Sequence, residues 1–294
     1  MTFDEYQTRA AATDASEISK GEDFSILLLG LAGEAGSLLT LYKKWLRDGD
    51  AFQIVGNRIA EELGDILWYL AAIARRRELS LETIAETNLR KTASRWLDVE
   101  QHVLLDDGYG SDERLPRTFV AELRDVEDSE GHRVMRMTLD GESLGAPLTD
   151  NSHEQDGYRF HDLLHLSFAA VLGWSPVIRS LLHRKRKSTP IVDEIEDGGR
   201  AIAIEEGIAA LAFTFASQHS MFDGVNTLDW SLLQTCSSMS MGLEVKSRPL
   251  FVWEQSILKA FAAWRLAIAG GGVRVFGDLN KREFRFERLD RVKL

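Results

Sequence analysis

The chain has 294 residues, 46 of them acidic and 35 basic, for a formal net charge of −11. That length suggests about two domains, and the acidic balance argues against a duplex nucleic-acid partner, which needs a basic surface to displace counterions. The single cysteine, Cys236, excludes an intrachain disulfide and a cysteine-rich zinc module, and makes a reducing, cytoplasmic setting the default expectation.

No basic stretch followed by an apolar one opens the sequence, so no signal peptide is expected. No apolar run approaches the roughly 18 residues of a membrane span; Glu34, Asp65 and Glu205-Glu206 break the longest ones. Residues 1–20 read as a helix with Thr2 as N-cap. Residues 23–47 follow as a second helix, with Leu27, Leu31, Leu38, Leu41 and Trp45 near helical spacing and Arg47-Asp48-Gly49-Asp50 as its stop. Residues 53–77 form a third, striped by Ile59, Leu63, Ile66, Leu70 and Ile73. Ser80 then caps a fourth helix running to about Leu97, with Glu82 in the favourable first turn. Four helices with short links predict a bundle over residues 1–98.

The pattern changes after residue 100. Phe119 to Val126 and Arg133 to Leu139 alternate around Glu130-Gly131-His132, which predicts a β-hairpin. Residues 140–156 are rich in turn formers, so residues 99–156 read as a β-rich connecting region. The helical period returns over 158–182, 199–218 and 252–269. Gly270-Gly271-Gly272 ends the last helix, and Val273 to Phe276 with Glu283 to Glu287 alternate like a final strand pair. The expectation is a mainly α protein: a helical bundle, a small β-hairpin region, and a second helical domain over 157–294 with C-terminal strands. A weak internal repeat is suggested, which would make the second half a degenerate helical copy of the first without its metal ligands. Leu166 to Gly173 is similar to Leu29 to Gly36, and Ile202 to Gly207 to Ile59 to Gly64, which would set Val171 at the place of Glu34 and Ile208 at that of Asp65.

Glu62 and Asp65 are three residues apart and share a helix face. Glu34 lies on the preceding helix, and two antiparallel helices can bring the three carboxylates together. Oxygen-only donors select a hard cation, magnesium or manganese, which can bridge phosphate oxygens and orient a water. Glu34 sits between Ala32-Gly33 and Ala35-Gly36. Each glycine costs roughly 1 kcal/mol of helix propensity, which makes sense where something approaches the helix closely.

Gly30 to Gly36, followed by Glu61-Glu62-Leu63-Gly64-Asp65-Ile66-Leu67-Trp68-Tyr69-Leu70-Ala71, is very similar to the MazG-like nucleotide pyrophosphohydrolases. Asn88-Leu89-Arg90-Lys91 and Arg95 resemble that family's next helix. The resemblance covers residues 1–97. It implies magnesium-dependent hydrolysis of a nucleoside triphosphate to monophosphate and pyrophosphate, by a dimer or tetramer of helical chains. One position departs: the family carries a Glu-x-x-Glu pair on the first helix, and Ser37 stands where the second acid belongs. Glu61, or Glu205 or Glu206 from the second half, are the carboxylates that could compensate. A triphosphate also needs cations, for which Lys43, Lys44 and Arg47 on the second helix and Asn88, Lys91 and Arg95 on one face of the fourth are the candidates. Trp68 and Tyr69 could stack on a base, although bundle aromatics commonly belong to the core.

Further on, His161-Asp162-Leu163-Leu164-His165 places two histidines at i and i+4, able to share a transition-metal ion; the glutamate of a zinc-protease motif is missing, and buried or capping histidines are the ordinary reading. His183-Arg184-Lys185-Arg186-Lys187 is a basic run that could meet phosphate or nucleic acid, or pair with the acidic run Asp193 to Asp197 close behind it. No Walker loop, dinucleotide fingerprint or nucleophile elbow is present. The two functional expectations are a triphosphate pyrophosphohydrolase and, because of Ser37, a non-catalytic nucleotide sensor or interaction protein.

Overall fold

The computed structural model describes residues 1–14, 23–49, 56–96 and 104–289. The chain divides into two compact units, Met1–Thr92 and Ala93–Leu294.

In the first unit, α1 (Phe3–Ala10) opens with a capping box. The Thr2 hydroxyl accepts from the Glu5 N–H, and the Glu5 carboxylate accepts from the Thr2 N–H, satisfying donors that a helix start leaves without partners. The helix ends at Ala10 and a 3-10 turn covers Ala11–Thr13, so it is shorter than the expected 1–20; residues 15–22 lie outside the described residues. Helices α2 (Asp23–Asp48), α3 (Gly56–Arg76) and α4 (Leu81–Trp96) fall within three residues of their expected starts and ends. α3 packs against both α2 and α1. Ser80 caps α4 by accepting from the Thr83 N–H and donates to Asp4 of α1. Gln7 also ties α1 to this corner, donating to the Leu79 carbonyl and accepting from the Leu81 N–H.

Among the described residues, the apolar cluster of this unit is small: Ala71, Ala74 and Leu81, with Tyr6, Ala10 and Leu67 against them; Leu27, Leu41 and Ala72 are buried as well. Leu29, Leu39, Leu46, Leu63 and Leu89 are exposed. The stretch Phe24–Asp48 is long and apolar enough, by length and composition, to cross a membrane, and only 11% of its most apolar window is buried. This corrects the expectation drawn from uninterrupted apolar runs, because a whole helix can carry Glu34 and still be apolar on average.

The second unit is built on a five-stranded antiparallel sheet. Its strands are β1 (Thr118–Glu127), β2 (Arg133–Leu139), β3 (Glu142–Leu148), β4 (Gly272–Asp278) and β5 (Glu283–Arg288), in the order β3-β2-β1-β4-β5. The β1–β2 hairpin is the expected one, turned at Gly131 with a φ of 83° and held by the Asp128 side chain, which accepts from the Glu130 and His132 N–H groups. Strand β3 was not expected, because Gly145 and Pro147 weaken a strand pattern; as an edge strand it needs only one set of ladder bonds, and proline is tolerated there. Phe119, Ala121, Leu123, Met135, Met137, Val273 and Val275 are buried on the sheet.

The longer helical elements of this unit are α5 (Asp162–Ser167) running into a π-helical turn (Phe168–Leu172), α6 (Pro176–Leu181), α7 (Pro190–Ile195), α8 (Gly199–Ser217), α9 (Trp230–Met239) and α10 (Leu250–Gly270), with short 3-10 turns between some of them. The expected helix 158–182 is broken at Gly173, whose φ is 68°, and restarts with Ser175 as N-cap and Pro176 in the first turn. α10 packs on α5, the π turn, β4, β5 and α9, and its Trp253, Ile257, Ala260, Phe261 and Ala267 are fully buried. Because β4 and β5 complete the sheet begun by β1 to β3, residues 99–156 and 157–294 belong to one unit and not to a connecting region and a separate domain. Val171 and Ile208 are core positions of that unit.

Candidate functional site

Helix α2 carries Glu34 and Ser37, both half-buried, and α3 carries Glu61 and Asp65, exposed, and Glu62, half-buried. The packing of α2 on α3 puts the expected acids on neighbouring helices. The glycines divide in function. A Cβ at Gly30 would collide with the Tyr69 ring, so that glycine serves the packing of α3 on α2. A Cβ at Gly33, Gly36 or Gly64 meets nothing within 4 Å, which leaves open space beside Glu34 and Asp65. The helices bring Glu34, Glu62 and Asp65 to adjacent elements but do not gather their oxygens within 4.8 Å of one another; oxygen donors with adjoining space suit a hard divalent cation that keeps its waters. Ser37 is neutral, so the set has one negative charge fewer than a four-acid site.

The other expected contacts are spread more widely. Lys43 is exposed and Lys44 half-buried near the end of α2, where Arg47 pairs with Asp48 at 2.6 Å. Asn88 is exposed on α4, and the side chains of Lys91 and Arg95 lie outside the described residues. Trp68 is half-buried; its indole N–H donates to the Thr13 hydroxyl at 2.8 Å and its ring meets Tyr69 edge-on.

Among the described residues, the His, Cys, Asp and Glu side chains that come within 4.8 Å of one another in a metal-ligating manner are His161, His165 and Glu206. Sequence reading found the two histidines but not Glu206, which lies 41 positions after His165. The signal was the pair Glu205-Glu206 on an apolar helix, read there as part of a repeat. Glu205 is fully buried: one carboxylate oxygen receives His165 Nδ1 at 2.8 Å and Ser175 Oγ at 2.6 Å, the other the Val177 N–H at 2.8 Å. It is therefore committed inside the second unit and is not a substitute acid for Ser37. Burial alone would lower the His165 pKa, but Glu205, reinforced by Glu206 and Asp162, pushes it up to about 10. Burial raises the Asp162 carboxyl against the opposing pull of His165 and His161.

The basic run is also occupied. Arg186 is fully buried and clamps Asp197 through its backbone N–H and guanidinium, with Glu244 at 2.7 Å on the other side. Arg184 donates to the Ser111 and Arg114 carbonyls. The expected pairing with the acidic segment is thus made at Asp197, and these two arginines are structural rather than a free phosphate-binding patch.

Comparison with known proteins follows the same division. The model of the MazG nucleotide pyrophosphohydrolase domain matches residues 24–99, and that of the MazG C-terminal domain matches residues 100–290. The Gene 37 protein of Mycobacterium phage L5 is 38% identical over 101 residues, covering 32% of this chain and 89% of the phage protein. No solved structure matches the chain. The C-terminal match alone spans well over half of the sequence, and the chain belongs to the MazG family, with a nucleotide pyrophosphohydrolase domain followed by a MazG C-terminal domain.

Proposed function

We propose that the chain hydrolyses (deoxy)nucleoside triphosphates to monophosphate and pyrophosphate, with Mg2+, or Mn2+ in its place, held by Glu34, Glu62 and Asp65. The observation that carries this reading is the set of acids on packed helices α2 and α3, with open space at Gly33, Gly36 and Gly64. When bound, the ion would offset phosphate charge and polarise the reacting groups. Glu61, exposed beside Glu62, supplies the carboxylate that Ser37 does not. Lys43, Lys44, Asn88, Lys91 and Arg95 offer the donors that a triphosphate requires, and Trp68, held by Thr13, offers its ring to the base. A second copy of the chain, in a dimer or tetramer, would cover the exposed leucines of α2 and α3, and a cytoplasmic location fits the lone buried thiol.

The test is product formation from each nucleotide in the presence of magnesium. Glu62→Gln and Asp65→Asn should each lower turnover by roughly 100-fold or more, in line with loss of a positioned electrostatic group, with the circular dichroism unchanged. Full activity in either variant removes that residue from the site, and no product from any nucleotide removes the hydrolase reading. Ser37 supports a second reading, a nucleotide sensor that binds without turnover. Ser37→Glu separates the two: a large rate gain marks an impaired native site, and an unchanged rate means another group already fills that place.

A further inference from the structure

We propose that His161, His165 and Glu206 form a second metal site, chemically distinct from the oxygen-only set of the first unit, for a divalent transition-metal ion of the zinc class.

The argument begins with how each ring is held. His161 sits at the N-cap of α5, and its Nδ1 lies 2.9 Å from the Tyr158 carbonyl, an acceptor that fixes the proton on Nδ1. Its ring stacks on Tyr158 with centroids 4.5 Å apart. One turn on, His165 turns its Nδ1 to Glu205 at 2.8 Å, and Glu205 is itself locked by Ser175 and the Val177 N–H. A carboxylate or carbonyl behind each imidazole is the arrangement by which proteins orient histidines for metal ligation. In both cases it leaves Nε2 as the ligating atom, and on His165 the incoming ion displaces to solvent the proton that the surrounding carboxylates hold there.

The second observation is independent of that orientation. His165 is fully buried, and among the described residues its Nε2 makes no well-formed hydrogen bond, only a long ion-pair contact with Glu206. Buried polar atoms rarely stay unpaired without a role. The atom nearest to it in charge terms is Glu206 Oε2, at 3.4 Å, which also stands 3.8 Å from His161 Nε2. A tetrahedral ion with bonds of about 2.0–2.1 Å separates its donors by about 3.3–3.4 Å, so small side-chain adjustments close the set around one ion. Asp162 Oδ1, 3.8 Å from His161 Nε2, stands next to the group as a further oxygen.

Two imidazoles and a carboxylate favour zinc and its first-row neighbours over magnesium, which prefers oxygen alone. Access is provided on one side. Glu206 is 42% exposed at its side chain while the histidines are buried, so an ion can enter past the carboxylate and keep a coordination position towards solvent.

The experiment titrates Zn2+ into the full chain after chelation, by calorimetry, and Co2+ in parallel, by visible absorption. Zinc should bind with one ion per chain assigned to this group, and cobalt should show the intense bands of a four-coordinate nitrogen- and oxygen-ligated site. His161→Gln and Glu206→Gln, at the rim of the cluster, should each weaken zinc binding at least about tenfold, the scale of loss seen even for groups that only support a ligand. His165→Ala should weaken it further. Glu62→Gln should leave zinc binding at this site unchanged, which separates the proposal from that of the first unit. The inference is overturned if zinc does not bind, or if it binds with equal affinity to the His161→Gln and Glu206→Gln variants; the cluster is then a buried imidazolium held between Glu205 and Glu206. Should His165→Ala fail to fold, the two rim variants decide the question.

Discussion

The two units hold themselves together in different ways. Among the described residues, the first buries a few alanines with Leu27, Leu41 and Leu81, ties its corners with polar caps, and leaves other leucines of α2, α3 and α4 exposed. The second wraps a sheet and α10 around a continuous core of aromatic and branched side chains, and also buries charges such as Arg186, Asp197 and Asp106 in full partnership. The lesson is that helix-forming pattern and helix stability are separate quantities. Propensity and capping help to define α1 to α4, but most helical stability in water comes from packing an apolar face, and among the described residues of the first unit several leucines of that face are exposed.

The sharpest way to probe this contrast is to damage one core and watch both units. Trp253 is fully buried and meets Phe168 and Trp174. Trp253→Ala should cost the second unit about 3–5 kcal/mol, seen as a lower urea midpoint for that transition alone, while α1–α4 retain theirs. A common loss in both transitions would show that the units do not unfold separately.

The first unit should respond instead to concentration. If a second copy covers its leucines, its apparent stability falls on dilution by as much as about 1.4 kcal/mol per tenfold, read as a lower urea midpoint, and Leu39→Lys removes that concentration dependence. Size-exclusion chromatography with light scattering would follow the same change as loss of the oligomer. A midpoint constant over a hundredfold dilution would mean that the small core and its caps are enough.

A subtler difference lies in acid. Burial alone would raise the Asp106 carboxyl, but hydrogen bonds from Arg179, the Leu115 N–H and Arg117 outweigh it and hold the group below the usual carboxylate range. A depressed folded pKa contributes stability that is complete above the unfolded value and is lost as pH falls through the folded one. The second unit should therefore weaken below the ordinary carboxylate range. Asp106→Asn should flatten that pH dependence and lower stability at neutral pH, as read from urea midpoints at stepped pH.

What could be read from the sequence follows from how local each signal was. Thr2 and Ser80 announce helix starts through side chains that cap their own turns, and both do so. That Glu34, Glu62 and Asp65 stand on successive helices was legible because helical spacing acts within one or two turns. Gly30 shows the limit of that reasoning: its missing side chain serves Tyr69 from another helix. Helix α9 was missed although Asp229 caps it, because Ser231, Thr235 and Ser237-Ser238 are weak helix formers and packing of Leu232, Leu233 and Cys236 decides the outcome. Gly173 hid a break inside a periodic stretch. Glu205 and Glu206 could not be assigned to the histidines of α5, since nothing local records a partner some forty positions away.

The sheet order has a consequence for synthesis. β1 receives β2 within a few residues, but its other neighbour, β4, pairs Thr118 with Asp278 and Arg124 with Gly272. At roughly 5–20 residues per second, the ribosome delivers that strand on the order of ten seconds or more after β1 has emerged. During that interval the nascent chain carries a three-stranded half-sheet with an open central edge, whereas α1 to α4 are already outside the exit tunnel. An unpaired edge invites wrong partners, so the last strands act as a closing seam. Ribosome stalling in the stretch from α8 to α10 should be more harmful to soluble yield than stalling in the first hundred codons.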